Sequence, residues 1–275
     1  MQLWNKLNKE ELEEQLRDIG HEFLTISFYK YARIANPHLF RDHLFLMWSK
    51  LEVVGRTYIA SEGINAQIAV PTKNISLFRE ELYQIDFLNG IRLNFAVDES
   101  EAEFPFLKLK IKVRNKILAD GLNDETFDVT KKGKHLNAEE FNTLTDDPET
   151  LLIDFRNHYE SEVGYFEGAI LPDVDTFRDS LPKIEKEILK GNEHKNIVMY
   201  CTGGIRCEKA SAWFKHRGFP NVHQLEGGII KYARDVKEQG IQNKFKGKNF
   251  VFDERRGERI TEEIVSICHL CGTPA

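Results

Sequence analysis

The sequence has no apolar segment long enough to cross a membrane and no cysteine before position 201. No window approaches the roughly 20 apolar residues of a membrane-spanning helix, and the first 20 residues lack the uninterrupted apolar core of a secretory signal. Its four cysteines are Cys201, Cys207, Cys268 and Cys271. So few cysteines in a chain of 275 residues do not form a secreted disulfide framework. We therefore expect a cytoplasmic protein without a membrane partner, whose thiols are reduced and chemically active or metal-binding.

An excess of positive charge is also missing, because the formal net charge is −6. This balance argues against a broad positive field, so we expect no DNA partner, although a local basic patch is compatible with it. The chain has neither a G-x-G-x-x-G dinucleotide motif nor a convincing cluster of two histidines and a carboxylate. The sequence therefore predicts no organic cofactor, its metal candidates are limited to Cys268 and Cys271, and it does not specify the oligomeric state.

The first 120 residues predict a helix followed by a ferredoxin-like domain. Apolar residues alternate where strands are expected and recur at helical spacing between them. The resulting order, βαββαβ with room for one more strand, is that of a ferredoxin-like sandwich. The predicted strands are 23–32, two within 55–70 around a turn at 62–65, 91–100 and 106–118, and the predicted helices are 36–54 and 71–85.

The second half predicts a parallel α/β domain. Residues 121–135 are rich in glycine, aspartate and lysine and form the linker candidate. The domain is expected over 136–240, opening with a helix that Asn137 and Glu140 can cap as a capping box. Short apolar runs that fit doubly buried strands alternate with amphipathic helices. Residues 241–275 are predicted to be a basic, cysteine-containing tail.

The segment YCTGGIRCEKA (200–210) places Cys201 directly after one of these strands. Sites in open α/β sheets lie beyond the carboxyl ends of the strands, which is where Cys201 is expected. A loop of Thr202, Gly203, Gly204, Ile205 and Arg206 can present backbone N–H groups, a helix N-terminus and a fixed positive charge to the thiol. We predict an activated thiolate, and the alternative is an ordinary half-buried cysteine at a strand end.

The loop CTGGIR resembles the active loop of rhodanese domains, in which an arginine stands five residues after the cysteine. Protein tyrosine phosphatases share the principle but place the arginine one residue later, so the shorter loop favours a cradle for a persulfide over one for a phosphate. The segment 151–171, with Asp154 and Arg156 after its strand, also resembles the start of a rhodanese domain. Asp154, Arg156, Glu160 and Glu226 are expected to support the loop through caps and ion pairs.

The chain as a whole resembles the bacterial tRNA uridine hydroxylase family (TrhO type). The resemblance is carried by GRTYIASEGINAQIAV, FPFLKLKIKVRNKIL, DFRNHYE, YCTGGIRCEKASAW and CHLCG. It implies oxygen-dependent hydroxylation of the wobble uridine of tRNA to 5-hydroxyuridine, with molecular oxygen as co-substrate and Cys201 as the catalytic thiol. Cys207 is then a candidate second thiol that could resolve an oxidised Cys201, and the alternative is that it only packs in the helix.

An RNA partner requires a basic surface, which the strand KLKIKVRNK offers. Its basic residues fall at every second position, so in a strand they point to one face, although a solvated face is the alternative. They are Lys108, Lys110, Lys112, Arg114 and Lys116. We hypothesise that they bind the tRNA backbone, together with 131–134 and with Lys244, Lys246 and Lys248.

The terminal CHLCG has the spacing of half a zinc knuckle. Cys268, His269 and Cys271 are fewer than the four ligands that a structural zinc needs. Two interpretations of this segment therefore remain: Cys268 and Cys271 bind zinc, or the tail is disordered or redox-active.

Three functions remain open from the sequence. The first is the tRNA hydroxylase, and the second is a rhodanese-type sulfurtransferase that forms a persulfide on Cys201. The third is a binding module with a vestigial loop. The intact Cys201 and Arg206 disfavour the binding module, and the N-terminal domain, which bare sulfur transfer does not need, disfavours the sulfurtransferase.

Overall fold

The computed structural model describes residues 8–19, 22–97 and 103–266. It divides into two units: the first comprises residues 1–117 together with Phe252–Arg256, and the second comprises Leu118–Val251 and the residues from Gly257 onward. None of the helices in the described part of the chain has the length and apolar character that a bilayer crossing demands.

The first unit is an antiparallel sheet with two helices against one face. Its strand order is β4-β1-β3-β2, with β5 added in parallel at the β2 edge. This arrangement confirms the predicted ferredoxin-like order with one additional strand. The elements are α1 (Lys9–Ile19), β1 (Phe23–Tyr31), α2 (Pro37–Lys50), β2 (Val54–Ala60), β3 (Gly63–Pro71), α3 (Ile75–Tyr83), β4 (Asn94–Phe95) and β5 (Leu109–Val113).

Two strands of this unit are shorter than the sequence predicted. The strand expected at 91–100 is reduced to Asn94–Phe95, which pairs with only two residues of β1. The strand expected at 106–118 is ordered as a strand only over Leu109–Val113. Before it, Phe106 and Leu107 both pack against a small apolar cluster that includes Leu16. Because consecutive side chains share this cluster, the alternation that a strand requires is lost there.

The core of the first unit lies between the sheet and the helices α2 and α3. Trp48 of α2 is fully buried and contacts Phe78 of α3, with ring centroids 5.8 Å apart. Strand residues such as Ile26, Ile59 and Ile68 complete the cluster from the sheet. Helices α2 and α3 therefore cover one face of the sheet, and on the other face α1 packs through Leu16 against Val54 and Ala69.

The second unit is centred on a parallel sheet of order β6-β10-β9-β7. A second sheet, β12-β11-β8, is antiparallel. The elements are β6 (Lys134–Leu136), α4 (Ala138–Thr145), β7 (Thr150–Asp154), α5 (His158–Ser161), β8 (Gly164–Phe166), α6 (Phe177–Ile184), β9 (Asn196–Tyr200), α7 (Ile205–His216), β10 (Val222–Leu225), α8 (Gly228–Gln239), β11 (Phe245–Phe250) and β12 (Gly257–Arg259).

Apolar clusters cover both faces of the parallel sheet, as the apolar strand sequences predicted. One cluster joins Ile153, Ile197 and Met199 to α6 and α7, and the other joins Leu152 and Val198 to α4 and α8. The capping box at the start of α4 is present, because Asn137 accepts from Glu140 N–H and the Glu140 carboxylate accepts from Asn137 N–H. The alternating strands and helices therefore form a parallel sheet with helices on both faces.

The segment predicted as linker belongs to the second unit, whereas the segment predicted as tail is divided between the units, because Phe252–Arg256 belongs to the first. Within 121–135, the Gly133 N–H donates to Ser211 Oγ of α7 at 3.0 Å. Within the predicted tail, β11 pairs with β8 and β12, and its residues alternate between buried and partly exposed. The alternation of FKGKNF is a sequence signal for a strand. The segment was instead predicted to be a basic tail because lysines occupy two of its partly exposed positions.

The packing of α3 generates a prediction for the stability of the first unit. Replacing the fully buried Phe78 by alanine removes a ring from the contact with Trp48. We expect F78A to lower the free energy of unfolding by about 3–5 kcal/mol. The adjacent L77A change removes a side chain that is 47% exposed and should cost less than about 1 kcal/mol. Urea unfolding followed by tryptophan fluorescence and circular dichroism measures both, and equal losses in the two variants would contradict this core assignment.

Candidate active site

Cys201 lies at the carboxyl end of an inner strand of the parallel sheet. It follows Tyr200, the last residue of β9, and precedes the loop that leads into α7 at Ile205. Gly204 caps α7 with a left-handed backbone (φ 98°), a conformation that favours glycine. The Cys201 side chain is fully buried. The sheet and the helix together fix the thiol beneath the first turn of α7.

The loop and the helix direct hydrogen bonds and positive charge at the Cys201 sulfur. The Gly204 N–H donates to Cys201 Sγ at 3.2 Å. Burial alone raises the pKa of this thiol, but the Cys207 side chain, the Arg206 charge and the loop N–H groups outweigh burial and lower the pKa to about 6. This lowered pKa favours the thiolate form of Cys201 near neutral pH.

Cys207 occupies the first turn of α7 and is also fully buried. Burial and the neighbouring Cys201 thiolate raise the pKa of Cys207 well above its ordinary value. Cys207 consequently keeps its proton and donates it in a hydrogen bond to the Cys201 thiolate. The two thiols form a pair that holds one proton, in which Cys201 carries the charge.

Arg206 is held by a carboxylate that comes from a distant part of the chain. Its Nη1 and Nη2 atoms donate to the two carboxylate oxygens of Glu160 at 2.5 and 2.8 Å. Nη2 also donates to Thr202 Oγ1 at 3.2 Å, which ties the guanidinium to the loop. Burial raises the pKa of Glu160, but the charge and hydrogen bonds of Arg206 overcome this and lower it. This paired geometry fixes the guanidinium beside the thiolate.

Asp154 and Arg156 form a second buried ion pair behind Glu160. Arg156 Nε donates to both Asp154 carboxylate oxygens at 3.0 Å, and Nη2 donates to Oδ2 at 2.7 Å. The same guanidinium donates to the backbone oxygens of Glu160 and Gly164 at 3.2 and 2.6 Å. Arg156 thus joins the end of β7 to α5 and β8. The pair contacts the backbone of Glu160, which in turn contacts Arg206.

The N-terminus of α8 packs directly on the active loop. Ile229 N–H donates to Cys201 O at 3.0 Å, and Ile230 N–H donates to Thr202 O at 3.2 Å. Gly228 has a left-handed backbone (φ 67°), and a Cβ there would lie 2.4 Å from Cys201 O. Glycine is required at this position by both conformation and space. The paired glycines at 227 and 228 are the sequence signal for this close backbone approach.

The structure brings together one part of the predicted site residues. Cys201, the loop from Thr202 to Arg206, and Cys207 converge in the second unit, with Asp154 and Arg156 in support. Glu160 was expected to support the loop through caps and ion pairs, and it does so by an ion pair with Arg206, a partner that the sequence did not specify. The carboxylate of Glu226 lies 3.9 Å from Lys231 Nζ.

The predicted basic strand lies in the first unit. Lys110 and Lys112 are exposed residues of β5, while Lys108 and Arg114 flank it. Lys116 lies beyond the strand, so the expectation that all five share one strand is wrong: the ordered strand is too short.

In the second unit, several of the lysines proposed to extend this surface are engaged by carboxylates. Lys132 pairs with Glu208, and Lys134 lies 3.2 Å from Glu140. Lys244 pairs with Asp146 at 2.5 Å, and Lys246 pairs with Glu167 at 3.3 Å. Their charge is therefore partly neutralised, which weakens the expectation that they extend an RNA-binding surface.

Cys268 and Cys271 lie outside the described residues. Over 8–19, 22–97 and 103–266, no group of three or more histidine, cysteine, aspartate or glutamate side chains is arranged to hold a metal ion. The zinc expectation at the terminal CHLCG stays a prediction.

Two family models match the chain in the order of its two units. Residues 23–117 match the UPF0176 acylphosphatase-like domain, and residues 137–235 match the rhodanese-like domain. Among solved structures, the rhodanese-like domain of an Anabaena sp. protein is 17% identical, covers 41% of this chain and 78% of its own, and has a TM-score of 0.33.

Curated relatives match over nearly the whole chain. A tRNA uridine(34) hydroxylase of Photorhabdus laumondii is 52% identical over 271 residues, which are 98% of this chain and 76% of the relative. A tRNA uridine(34) hydroxylase of Escherichia coli (strain SE11) is 52% identical over 273 residues, which are 99% of this chain and 77% of the relative. The similarity thus spans both units.

The hydrogen bonds to Cys201 predict the pH dependence of its ionisation. With a pKa of about 6, the thiol is protonated below that pH and becomes a thiolate as the pH rises through it, whereas an ordinary cysteine titrates near about 8.5. We expect the ultraviolet absorbance of the thiolate to appear with a midpoint near pH 6 and to be absent in C201S. C207A, which removes the S–H donor, should move the midpoint upward. A wild-type midpoint at or above pH 8 would contradict the assignment.

The close approach at Gly228 predicts the effect of adding one methyl group. In G228A the new Cβ would collide with the carbonyl oxygen of Cys201, so the loop must shift and its hydrogen bonds to the sulfur weaken. We expect the thiolate midpoint to rise by one pH unit or more while the protein stays folded. G168A is the matched control, because Gly168 has a similar φ of 75° but no atom within 4 Å of its added Cβ. If both variants titrate like wild type, α8 does not position the loop.

Proposed function

The chain belongs to the tRNA uridine(34) hydroxylase family, and on that premise we propose that it converts the wobble uridine of tRNA to 5-hydroxyuridine, with molecular oxygen as co-substrate and Cys201 as the catalytic thiol. The observation that carries the role of Cys201 is its setting: the buried sulfur accepts from Gly204 N–H at 3.2 Å and lies near Arg206, whose charge helps to lower its pKa to about 6. A thiolate of this kind is a nucleophile at neutral pH.

The loop defines what each group does in this proposal. The Gly204 N–H and the Arg206 guanidinium stabilise negative charge on the sulfur and on an oxygen or sulfur atom bound to it. Glu160 and Asp154 with Arg156 hold that guanidinium without touching the reacting atoms. They are positioning residues, whereas Cys201 is the catalytic residue.

Hydroxylation of a C–H bond by O₂ requires two electrons and two protons. One oxygen atom enters the C5–H bond of uridine and the other leaves as water. By forming a disulfide, the Cys201 thiolate and the Cys207 thiol can supply both electrons and the one proton that they hold, and water supplies the second proton; a thiol reductant then returns the disulfide to the reduced pair. In this scheme Cys207 is the second thiol, which its burial next to Cys201 supports.

The tRNA substrate implies where the enzyme works and what surface it needs. We place the reaction in the cytoplasm, with the tRNA. The exposed Lys110 and Lys112 and the flanking Lys108 and Arg114 of the first unit are proposed to contact the RNA backbone. DNA and membranes are not proposed as partners.

Nucleoside analysis tests the proposed function. tRNA from cells that lack this gene should have lost its 5-hydroxyuridine derivatives, and the wild-type gene should restore them. C201A should fail to restore them because the thiolate is lost, with at least a hundredfold lower yield. Purified enzyme and unmodified tRNA under ¹⁸O₂ should give product that carries one labelled oxygen atom.

The outcomes separate the proposal from sulfur transfer. Equal restoration by wild type and C201A would show that Cys201 is not the catalyst. Persistence of the modified nucleosides in the deletion strain would refute the hydroxylase. Thiocyanate formation from thiosulfate and cyanide, without any hydroxylation of tRNA, would instead favour the rhodanese-type sulfurtransferase.

Mass spectrometry of enzyme trapped during turnover should detect the Cys201–Cys207 disulfide, and unmodified thiols alone would contradict its formation.

A further inference from the structure

The face of the first unit's sheet opposite α2 and α3 carries polar, aromatic and basic side chains beyond the end that α1 covers at Val54 and Ala69. We call the part on β2, β3 and β5 the open face, and it is opposite the face packed by α2 and α3. The strand register places its residues side by side. Arg56 is opposite Gln67 and Lys110, and Tyr58 is opposite Asn65 and Lys112. The open face therefore consists of Arg56, Tyr58, Asn65, Gln67, Lys110 and Lys112.

A cavity of about 260 Å³ lies on the open face. It is lined by Arg56, Tyr58, Asn65, Gln67 and Phe252, and Phe252 belongs to the same unit. Arg56 Nη2 donates to Phe252 O at 2.9 Å and to Gln67 Oε1 at 3.3 Å. The guanidinium and the two amides are thus gathered around two aromatic rings. Cavities that enclose a drug-sized ligand have about 300–1,000 Å³, so this one suits a smaller planar group such as a single base.

Positive charge continues along the edge of the cavity. The Arg114 guanidinium lies over the Tyr58 ring, 5.8 Å from its centroid. In the described part of the chain, no carboxylate lies within ion-pair distance of Lys108, Lys110 or Lys112. These lysines are therefore available to an anionic partner.

Two acidic residues lie close to these lysines. Asp253 and Glu254 line an adjoining cavity that also includes Lys9, Lys108 and Lys110. Asp253 is paired with Arg255 at 2.7 Å, which neutralises it. Glu254 N–H donates to Pro105 O, so the backbone of this turn is fixed on the sheet. The stretch from Lys108 to Arg114 keeps a net positive charge beside the aromatic cavity.

We propose that the cavity on the open face binds an unpaired base of the RNA substrate, with the base stacked on Tyr58 and the phosphates along Lys108, Lys110 and Lys112. Single-stranded RNA is bound by this combination, in which bases stack on aromatic side chains and a basic strip follows the backbone. Duplex RNA does not offer a splayed base to a cavity of this size. The inference rests on the proposed function for the identity of the ligand as tRNA.

Binding of two RNA probes to the full chain tests the inference. The first is a fluorescently labelled anticodon stem-loop, and the second is a duplex of the same length without a loop. Stacking of one base is worth about 1–3 kcal/mol, so Y58L should weaken stem-loop binding roughly 5- to 150-fold, while Y58F should stay within about threefold of wild type. Because a tyrosine carries no charge, Y58L should leave the salt slope unchanged. K110Q with K112Q should make that slope shallower.

Y29L is the matched control. Tyr29 lies on the same sheet face, opposite Asn65 across β1 and β3, but it does not line the cavity. Y29L should bind the stem-loop like wild type. Equal weakening by Y29L and Y58L, unchanged affinity in Y58L with a wild-type melting temperature, or equal binding of the duplex would each overturn the inference.

The same proteins separate this inference from the proposed function. C201A should bind the stem-loop like wild type but form no 5-hydroxyuridine. Y58L should raise KM for tRNA more than it lowers kcat. If wild type hydroxylates tRNA and Y58L does so with unchanged KM, the open-face site is wrong and the function stands. If no variant hydroxylates tRNA but binding still depends on Tyr58, the site stands and the function fails.

Discussion

The active site depends on the pairing of Arg206 with Glu160 in a buried environment. A thiolate removed from water is costly unless charge and hydrogen bonds compensate for it. Here charges of alternating sign lie next to one another, from Asp154 through Arg156 and Glu160 to Arg206 and the Cys201 sulfur. Removing any inner member would leave its neighbour as a buried, unpaired charge. The ionisation of Cys201 is therefore a property of the whole series.

This constraint explains the backbone around the loop. The carboxylate of Glu160 is in position because α5 is a single short turn whose capping box uses the same side chain. From the other side, α8 begins so close to the loop that only Gly228 fits. The loop is thus held by hydrogen bonds to its carbonyl groups while its N–H groups remain directed toward the sulfur. A rigid surrounding of this kind keeps the donors in place without reorganisation during a reaction.

The sequence allowed prediction of features whose determinants are close together in the chain. The spacing of Cys201 and Arg206, the capping box of Asn137 and Glu140, and the order of strands and helices are local patterns. The Glu160–Arg206 pair was not predicted because 46 positions separate its partners and many carboxylates were available. The strand β11 was missed because lysines occupy its partly exposed positions. The length of β5 depended on a tertiary contact of Phe106 and Leu107 that no local pattern encodes.

The two thiols illustrate why the rhodanese-like loop alone does not determine the reaction. An activated Cys201 serves sulfur transfer and oxidation equally well, because both begin with a thiolate beside a fixed cation. Cys207 adds a second thiol, with which Cys201 can form a disulfide. Burial and the adjacent negative charge keep Cys207 protonated while Cys201 is ionised, so the pair holds one thiolate and one thiol at neutral pH. Such a pair can provide a nucleophile first and a second thiol afterwards, which is the order that a two-electron oxidation requires.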